Sequence, residues 1–239
     1  MNKALVIIPT YNEVENIQKI IELTLRVEDF NILVVDDSSP DGTIDVVKGL
    51  VENHPNRIFY VERKSKEGLG KAYIHGFNWA IENKYDFIFE MDADLSHDPK
   101  ELAPMLSYLR EDKDMVIGSR YIKGINVVNW PMSRILLSYL ASIYVRWTTF
   151  MPIKDPTAGF VGYRRTALEA LNLEKIKFVG YAFQIEMKFK LWKRGFNCVE
   201  HPIVFTNRIR GASKMNGKII WEALPSVLIL QLDHLLNRD

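Results

Sequence analysis

Five short apolar runs, residues 4–9, 31–36, 58–61, 87–91 and 115–117, alternate with stretches whose apolar residues recur at helical spacing. No other feature constrains the fold of this chain as much. The helical stretches are marked by Val14, Ile17, Ile21 and Leu25, by Ile44, Val47 and Val51, by Ile74, Phe77 and Ile81, and by Leu102, Met105 and Leu109. Runs with no polar alternation inside them read as strands buried on both faces, and strand-helix alternation predicts an α/β fold with a mostly parallel central sheet flanked by helices. In such sheets ligands sit beyond the carboxyl ends of the strands, so the residues that end each run are the first candidates for function. The second half is less regular: an amphipathic segment from Arg134, a strand-like run at 160–163, a helix around 183–193, a strand near 199–206 and a last helix. No Pro/Gly-rich linker or repeat divides the chain, which predicts one domain over residues 1–239.

Composition narrows the function. Lys and Arg number 31 against 30 Asp and Glu, a net charge of +1, so no global field favours nucleic acid and any anion site must be local. Cys198 is the only cysteine, which excludes an internal disulfide and a cysteine-based zinc cage and suits a reducing compartment. The apolar run at 4–9 is too short for a signal peptide, so a cytoplasmic location is expected. Residues 135–149 and 219–236 are the most apolar helical segments. Each is too short or too interrupted to cross a bilayer of ~20 apolar residues, but each could lie in a lipid interface or cover a core.

Several phosphate-binding devices are missing. No glycine follows the first strand, where Pro9-Thr10-Tyr11-Asn12-Glu13 stands, and neither Gly70-Lys71 nor Gly217-Lys218 has the surroundings of a P-loop. Carboxylates end the strands instead: Asp36 and Asp37 after the second, Asp92 and Asp94 after the fourth. Paired carboxylates at a strand end repel unless a cation joins them, and Mg²⁺ or Mn²⁺ bound through oxygen is the common solution. In an extended Asp92-Ala93-Asp94 the two acids point the same way, and small Ala93 lets a ligand approach the backbone. The competing reading is helix capping, which is preferred for Asp98 before Pro99, while Asp41-Gly42-Thr43 reads as a turn and helix start. Arg120, Arg134, Arg208, Arg210 and Lys214 would together supply cations for phosphoryl groups, with Gly211 letting the last loop fold over a ligand. His75 and His97 read as packing or capping residues.

Taken in order, Pro9 to Glu13, Val34 to Thr43 and Met91-Asp92-Ala93-Asp94-Leu95-Ser96 resemble the inverting family 2 glycosyltransferases. More narrowly, they are similar to dolichyl-phosphate mannose synthases and their bacterial polyprenyl-phosphate relatives. The resemblance extends through Gly118-Ser119-Arg120-Tyr121, Asn129-Trp130-Pro131 with Arg134, Asp155 to Phe160, Phe183-Gln184-Ile185-Glu186, and Arg208 with Gly211 to Lys214. It implies a GT-A fold in which residues 1–120 bind nucleotide and metal and residues 121–239 bind the acceptor. It also implies that Pro9, Tyr11, Glu13, Asp36, Asp37, Asp92, Ala93, Gln184, Arg208 and Lys214 form the sugar-nucleotide site. Asp92, Asp94 and Ser96 would hold the metal, Ser96 standing where the family often has a longer oxygen ligand. Arg120 and Arg134 would take the acceptor phosphate, and Asp94, Arg120 and Lys214 would carry the chemistry.

The reaction this implies moves a hexose, mannose from GDP-mannose, onto dolichyl or polyprenyl phosphate with inversion. A phosphate acceptor carries about −1.5 to −2 charges near neutral pH, so no essential general base is expected. Some relatives continue into C-terminal membrane helices, and this chain ends at Asp239. Peripheral docking at the cytoplasmic membrane face, or a membrane-anchored partner, is therefore expected. The rivals are a UDP-glucose-dependent or hydroxyl-directed member of the same family, a signalling receiver domain, which would be about half this length, and a non-catalytic nucleotide-binding protein.

Overall fold

The structure is a computed structural model describing residues 3–27, 30–208 and 217–236, with the side chains of Tyr181 and residues 217–224 left aside. Its strands are β1 (Ala4–Thr10), β2 (Phe30–Asp36), β3 (Ile58–Glu62), β4 (Phe87–Glu90), β5 (Met115–Ser119), β6 (Val127–Val128), β7 (Val161–Arg164), β8 (Cys198–Pro202) and β9 (Phe205–Thr206). Its α-helices are α1 (Ile17–Leu25), α2 (Thr43–Asn53), α3 (Leu69–Glu82), α4 (Leu102–Glu111), α5 (Met132–Thr149), α6 (Arg165–Glu169), α7 (Tyr181–Lys193) and α8 (Gly217–Leu235).

Seven strands form one sheet in the order β3-β2-β1-β4-β7-β5-β8, and β6 pairs with β9 in a separate ribbon. All pairings in the large sheet are parallel except those of β7, which runs antiparallel to both β4 and β5. Alternation along the strands sends Leu5, Ile7, Leu33 and Val35 into a core shared with α3 and α7. Ala4, Val6, Ile8, Ile32 and Val34 enter a second core shared with α1 and α4. The sheet is therefore covered on both faces, which is why its strands carry no polar alternation. The chain winds outward from β1 to β3 and then returns to β4 on the other side of β1. This reversal opens a crevice at the carboxyl ends of β1 and β4.

Three elements differ from the sequence expectation. Val14 lies outside α1, because Asn12 takes φ 56° and residues 13–16 form a turn in which the Glu13 carbonyl accepts the Asn16 and Ile17 amides. The run at 199–206 is two strands in two sheets: beyond Pro202 the Ile203 amide still reaches the Ser119 carbonyl, then the chain leaves β5 and Phe205 and Thr206 pair with β6. The helix that begins by Arg134 in the sequence reading starts at Met132, directly after Pro131. It turns Ser142, Val145 and Thr149 inward and leaves Met132, Leu136, Leu137, Tyr139, Leu140 and Trp147 exposed, the reverse of an ordinary core-facing helix.

Candidate active site

The crevice is built first from two loops sewn together. At the end of β2, Asp36 accepts three hydrogen bonds from the protein: Thr10 Oγ1 donates to Oδ1 at 2.7 Å, Ser39 Oγ to Oδ1 at 2.6 Å and the Ser39 amide to Oδ2 at 2.8 Å. The sequence reading placed Asp36 among the ligand-binding residues. In the structure Asp36 also works as a staple, its three bonds tying the end of β1 at Thr10 to the loop after β2 at Ser39. Neighbouring Asp37 pairs with Arg63 at 2.8 Å. Burial pushes its carboxyl above the usual range against the pull of Arg63. Glu13 is buried, its amide donating to Thr43 Oγ1 at 3.0 Å and its Oε2 accepting from Asn16. Lys66 sits 4.1 Å above the Tyr11 ring. Pro9 near the end of β1 and Tyr11, Glu13 and Asp37 on the loops after β1 and β2 thus stand at the carboxyl edge of the sheet. Asp41 bonds Thr43 and Val14, and Asp98 caps the short helix after it, as turn chemistry requires.

The crevice is built next from the turn that leaves β4. Tyr73 from α3 donates to Asp92 Oδ1 at 3.4 Å, and the Asp92 amide donates to His97 Nδ1 at 3.2 Å. Asp92 stays partly open at the mouth while its carboxylate reaches inward, where burial and the charge of Asp94 push it up to about 7. Asp94 accepts the Ser96 amide at 3.1 Å and pairs with Arg208 at 2.5 Å. Against its burial, the adjacent Ser96 hydroxyl and then Arg208 hold it below the usual carboxylate range. Ser96 Oγ is itself buried with no partner of good hydrogen-bond geometry among the described residues. Two carboxylates and a buried serine hydroxyl on one turn supply oxygen donors of the kind a hard divalent cation takes. Ala93 is buried between the two acids.

Cations face this turn. Arg134 stacks 4.0 Å from the Trp130 ring and donates to Asn207 Oδ1 at 3.0 Å, while Arg120 lies 5.7 Å from the same ring. The structure therefore brings Arg120 and Arg134 to one indole, with Arg208 one residue beyond Asn207. Arg120 also holds Asp155 through Nε and a terminal nitrogen, each at 2.7 Å, so part of its fork is internal. Gln184 departs from the expectation of a sugar contact: its amide donates to Glu90 and accepts from Lys188 at 3.0 Å, and both of its ends face the interior. Lys214, with Arg210 and Gly211, lies outside the described residues. His97 packs as expected, whereas His75 is exposed on α3.

Sequence reasoning missed Arg63, Tyr73, Glu90 and Lys188, and it named Asp155 within a motif without giving it a role. Only Asp155 had a signal, being the acidic first residue of a motif otherwise made of small and apolar residues.

Residues 5–171 match the glycosyl transferase family 2 profile. The chain belongs to glycosyl transferase family 2. It is 44% identical over 223 residues to the polyprenol monophosphomannose synthase of Mycolicibacterium smegmatis, covering 93% of this chain and 84% of that protein. It is 43% identical over 226 residues to the undecaprenyl-phosphate mannosyltransferase of Micrococcus luteus, covering 94% and 92%. Among solved structures it resembles a Pyrobaculum calidifontis mannosyltransferase in complex with GDP-Man and Mn²⁺, with TM-score 0.62, 19% identity, and 99% of this chain against 64% of that one. It also resembles glucosyl-3-phosphoglycerate synthase of Mycobacterium tuberculosis, with TM-score 0.69, 16% identity, and coverage of 98% and 78%. The fold of this family 2 glycosyltransferase is GT-A.

Proposed function

We propose that this chain transfers a mannosyl group from GDP-mannose to the phosphate of dolichyl or polyprenyl phosphate, inverting the anomeric centre. One observation carries the chemistry: the acidic turn of Asp92 and Asp94 meets Arg208 through Asp94, while Arg120 and Arg134 gather on the Trp130 ring and Arg134 bonds Asn207, the neighbour of Arg208. Mannose and a lipid phosphate are supported by the similarity to two bacterial mannosyltransferases named for such acceptors. In this reading residues 1–120 supply the donor site and residues 121–239 the acceptor side. Pro9, Tyr11, Glu13 and Asp37 hold base and ribose, with Asp36 fixing their loop. Asp92, Asp94 and Ser96 would hold Mg²⁺ or Mn²⁺, which when bound offsets negative charge on the diphosphate. Arg208 and Lys214 bind that diphosphate, and Arg120 and Arg134 orient the incoming phosphate. A phosphate oxygen forms the new bond to the anomeric carbon as the bond to the nucleotide breaks, and GDP leaves with that electron pair. No proton has to be removed from the nucleophile.

The test is incubation with labelled GDP-mannose or UDP-glucose, polyprenyl phosphate and Mn²⁺ or Mg²⁺, followed by organic extraction. Label from GDP-mannose is expected in the lipid phase and is expected to vanish with EDTA. Label from UDP-glucose alone, or undiminished transfer in EDTA, overturns the assignment.

We further propose that the chain reaches its acceptor by docking on the bilayer. No helix among the described residues is long and apolar enough to cross a membrane. The exposed ladder of Leu136, Leu140 and Trp147 on α5, with Leu228, Leu232 and Leu235 on α8, supports a peripheral surface, and Arg134 stands on the first turn of α5. Leu140 and Trp147 are 55% and 78% exposed, so replacing both by serine leaves the core intact. Each change removes on the order of 1–2 kcal/mol of apolar burial in lipid. Sedimentation with polyprenyl-phosphate vesicles is expected to weaken at least about tenfold, and unchanged partition would remove α5 from the docking surface.

A further inference from the structure

His97 has no place in the chemistry above, yet it is 2% exposed and bonds the backbone of the acidic turn at Asp92. Its ring stacks on Phe160 at 4.9 Å and 18°, and meets Phe205 edge-on at 5.4 Å. The amide of Asp92 can only donate, so the His97 Nδ1 at 3.2 Å must present its lone pair, and in the neutral ring the proton resides on Nε2. A ring nitrogen used in this way cannot take a proton from a nucleophile without releasing the Asp92 backbone.

The surrounding contacts show what this bond organises. Within the turn, Leu95 adopts φ 64°, a conformation that L-residues rarely hold unless their surroundings fix it. On the far side, the Thr206 amide donates to the Ser96 carbonyl at 3.3 Å, and Arg208 reaches Asp94. The segment 205–208 is thus joined to the turn at three points: Phe205 on His97, Thr206 on Ser96 and Arg208 on Asp94.

We propose that His97 is a positioning residue, its Nδ1 locking the backbone of Asp92 while its ring seats the 205–208 segment that delivers Arg208. Together these set the spacing of the two aspartates for a divalent cation and a nucleoside diphosphate. The proposal rests on the donor-site reading given above. Groups that orient metal ligands in this way typically matter by 10–100-fold in affinity or activity.

Two substitutions separate the bond from the packing. His97→Phe keeps an aromatic ring against Phe160 but has no acceptor, whereas His97→Asn places its amide oxygen near the position of Nδ1. Two readouts are needed: hydrogen exchange of the Asp92 amide in the ligand-free full chain, and calorimetric binding of GDP with Mn²⁺ or with EDTA. For His97→Phe, the Asp92 amide is expected to exchange faster and the Mn²⁺-dependent gain in GDP affinity to fall about tenfold or more, with affinity in EDTA unchanged. His97→Asn is expected to restore both. Wild-type exchange and a wild-type Mn²⁺ gain in His97→Phe would overturn the proposal, as would an Asn variant no better than Phe. If His97→Phe does not fold, His97→Gln replaces it, since its amide reaches toward Nε2, and the same comparison with Asn decides. Failure of the wild type to bind GDP with Mn²⁺ overturns the donor-site reading, while the exchange data still decide the role of His97.

Discussion

Asp92→Asn is expected to reduce transfer by about a thousandfold or more and at the same time to raise the melting temperature of the metal-free protein. The two effects have one cause. Asp92 and Asp94 stand two residues apart on one turn, and Arg208 pairs with Asp94. The side-chain partner of Asp92 is the Tyr73 hydroxyl at 3.4 Å, a weak substitute for a cation. Without metal the second carboxylate is a desolvated like charge, and removing it relieves repulsion while the Asn oxygen can still accept from Tyr73. Because Asp92 is partly open at the mouth, the gain is discounted to about 1 kcal/mol, or roughly 2–4 °C for a chain of this size. The loss of activity is larger because electrostatic stabilisation of a leaving group in such a site is worth about 10²–10³ or more per group removed. Activity retained within tenfold, or a lower melting temperature, would remove Asp92 from the charge-handling role. Asp94→Asn should lose activity comparably without the stability gain, since it removes the carboxylate that pairs with Arg208 at 2.5 Å.

How much of this was legible depends on whether each signal is local. The strands and their carboxylate endings were readable because burial on both faces leaves apolar runs and because the crevice follows from sheet topology. Asp36 and Asp37 could not be told apart: adjacent residues alternate in direction, and only the positions of Thr10, Ser39 and Arg63 show which one is the staple. Partners far apart in sequence were invisible, as with Arg120 and Asp155, which are 35 residues apart. The inverted burial of α5 was half legible: its apolar content was plain, but which side faces the core is decided by what packs against Ser142 and Thr149. Pro202 carried the break between β8 and β9, though a proline inside an apolar run also fits an edge strand.

Lys188→Met tests a buried network that no local pattern announced. Lys188, fully buried on α7, donates to the Ala158 carbonyl at 2.7 Å and to Gln184 at 3.1 and 3.0 Å. The other end of Gln184 meets Glu90, also fully buried, which accepts the Tyr163 hydroxyl at 3.0 Å. Removing the ammonium strips donors from Ala158 and Gln184 and leaves Glu90 without its cation, so a loss of about 3–5 kcal/mol is expected, roughly 10 °C in melting temperature. Charge imbalance is a large part of that loss. The double variant Glu90→Gln with Lys188→Met keeps an oxygen for Gln184 and Tyr163 while removing both charges, and it should recover to within about 1–2 kcal/mol of wild type. The cycle should therefore show coupling of about 1–3 kcal/mol, and additive losses would mean the two residues do not act as a pair. The pH dependence has a definite sign. Burial holds Lys188 down to about 8 against the pull of Glu90 and Asp155, with Arg120 adding to the lowering and Glu200 opposing it. Between that value and the ordinary 10.5, the unfolded chain binds the extra proton, so wild-type stability should rise with pH relative to the Lys188→Met variant across that window. A flat difference in urea midpoints from pH 8 to 10.5 would show that Lys188 titrates in the fold as it does in water.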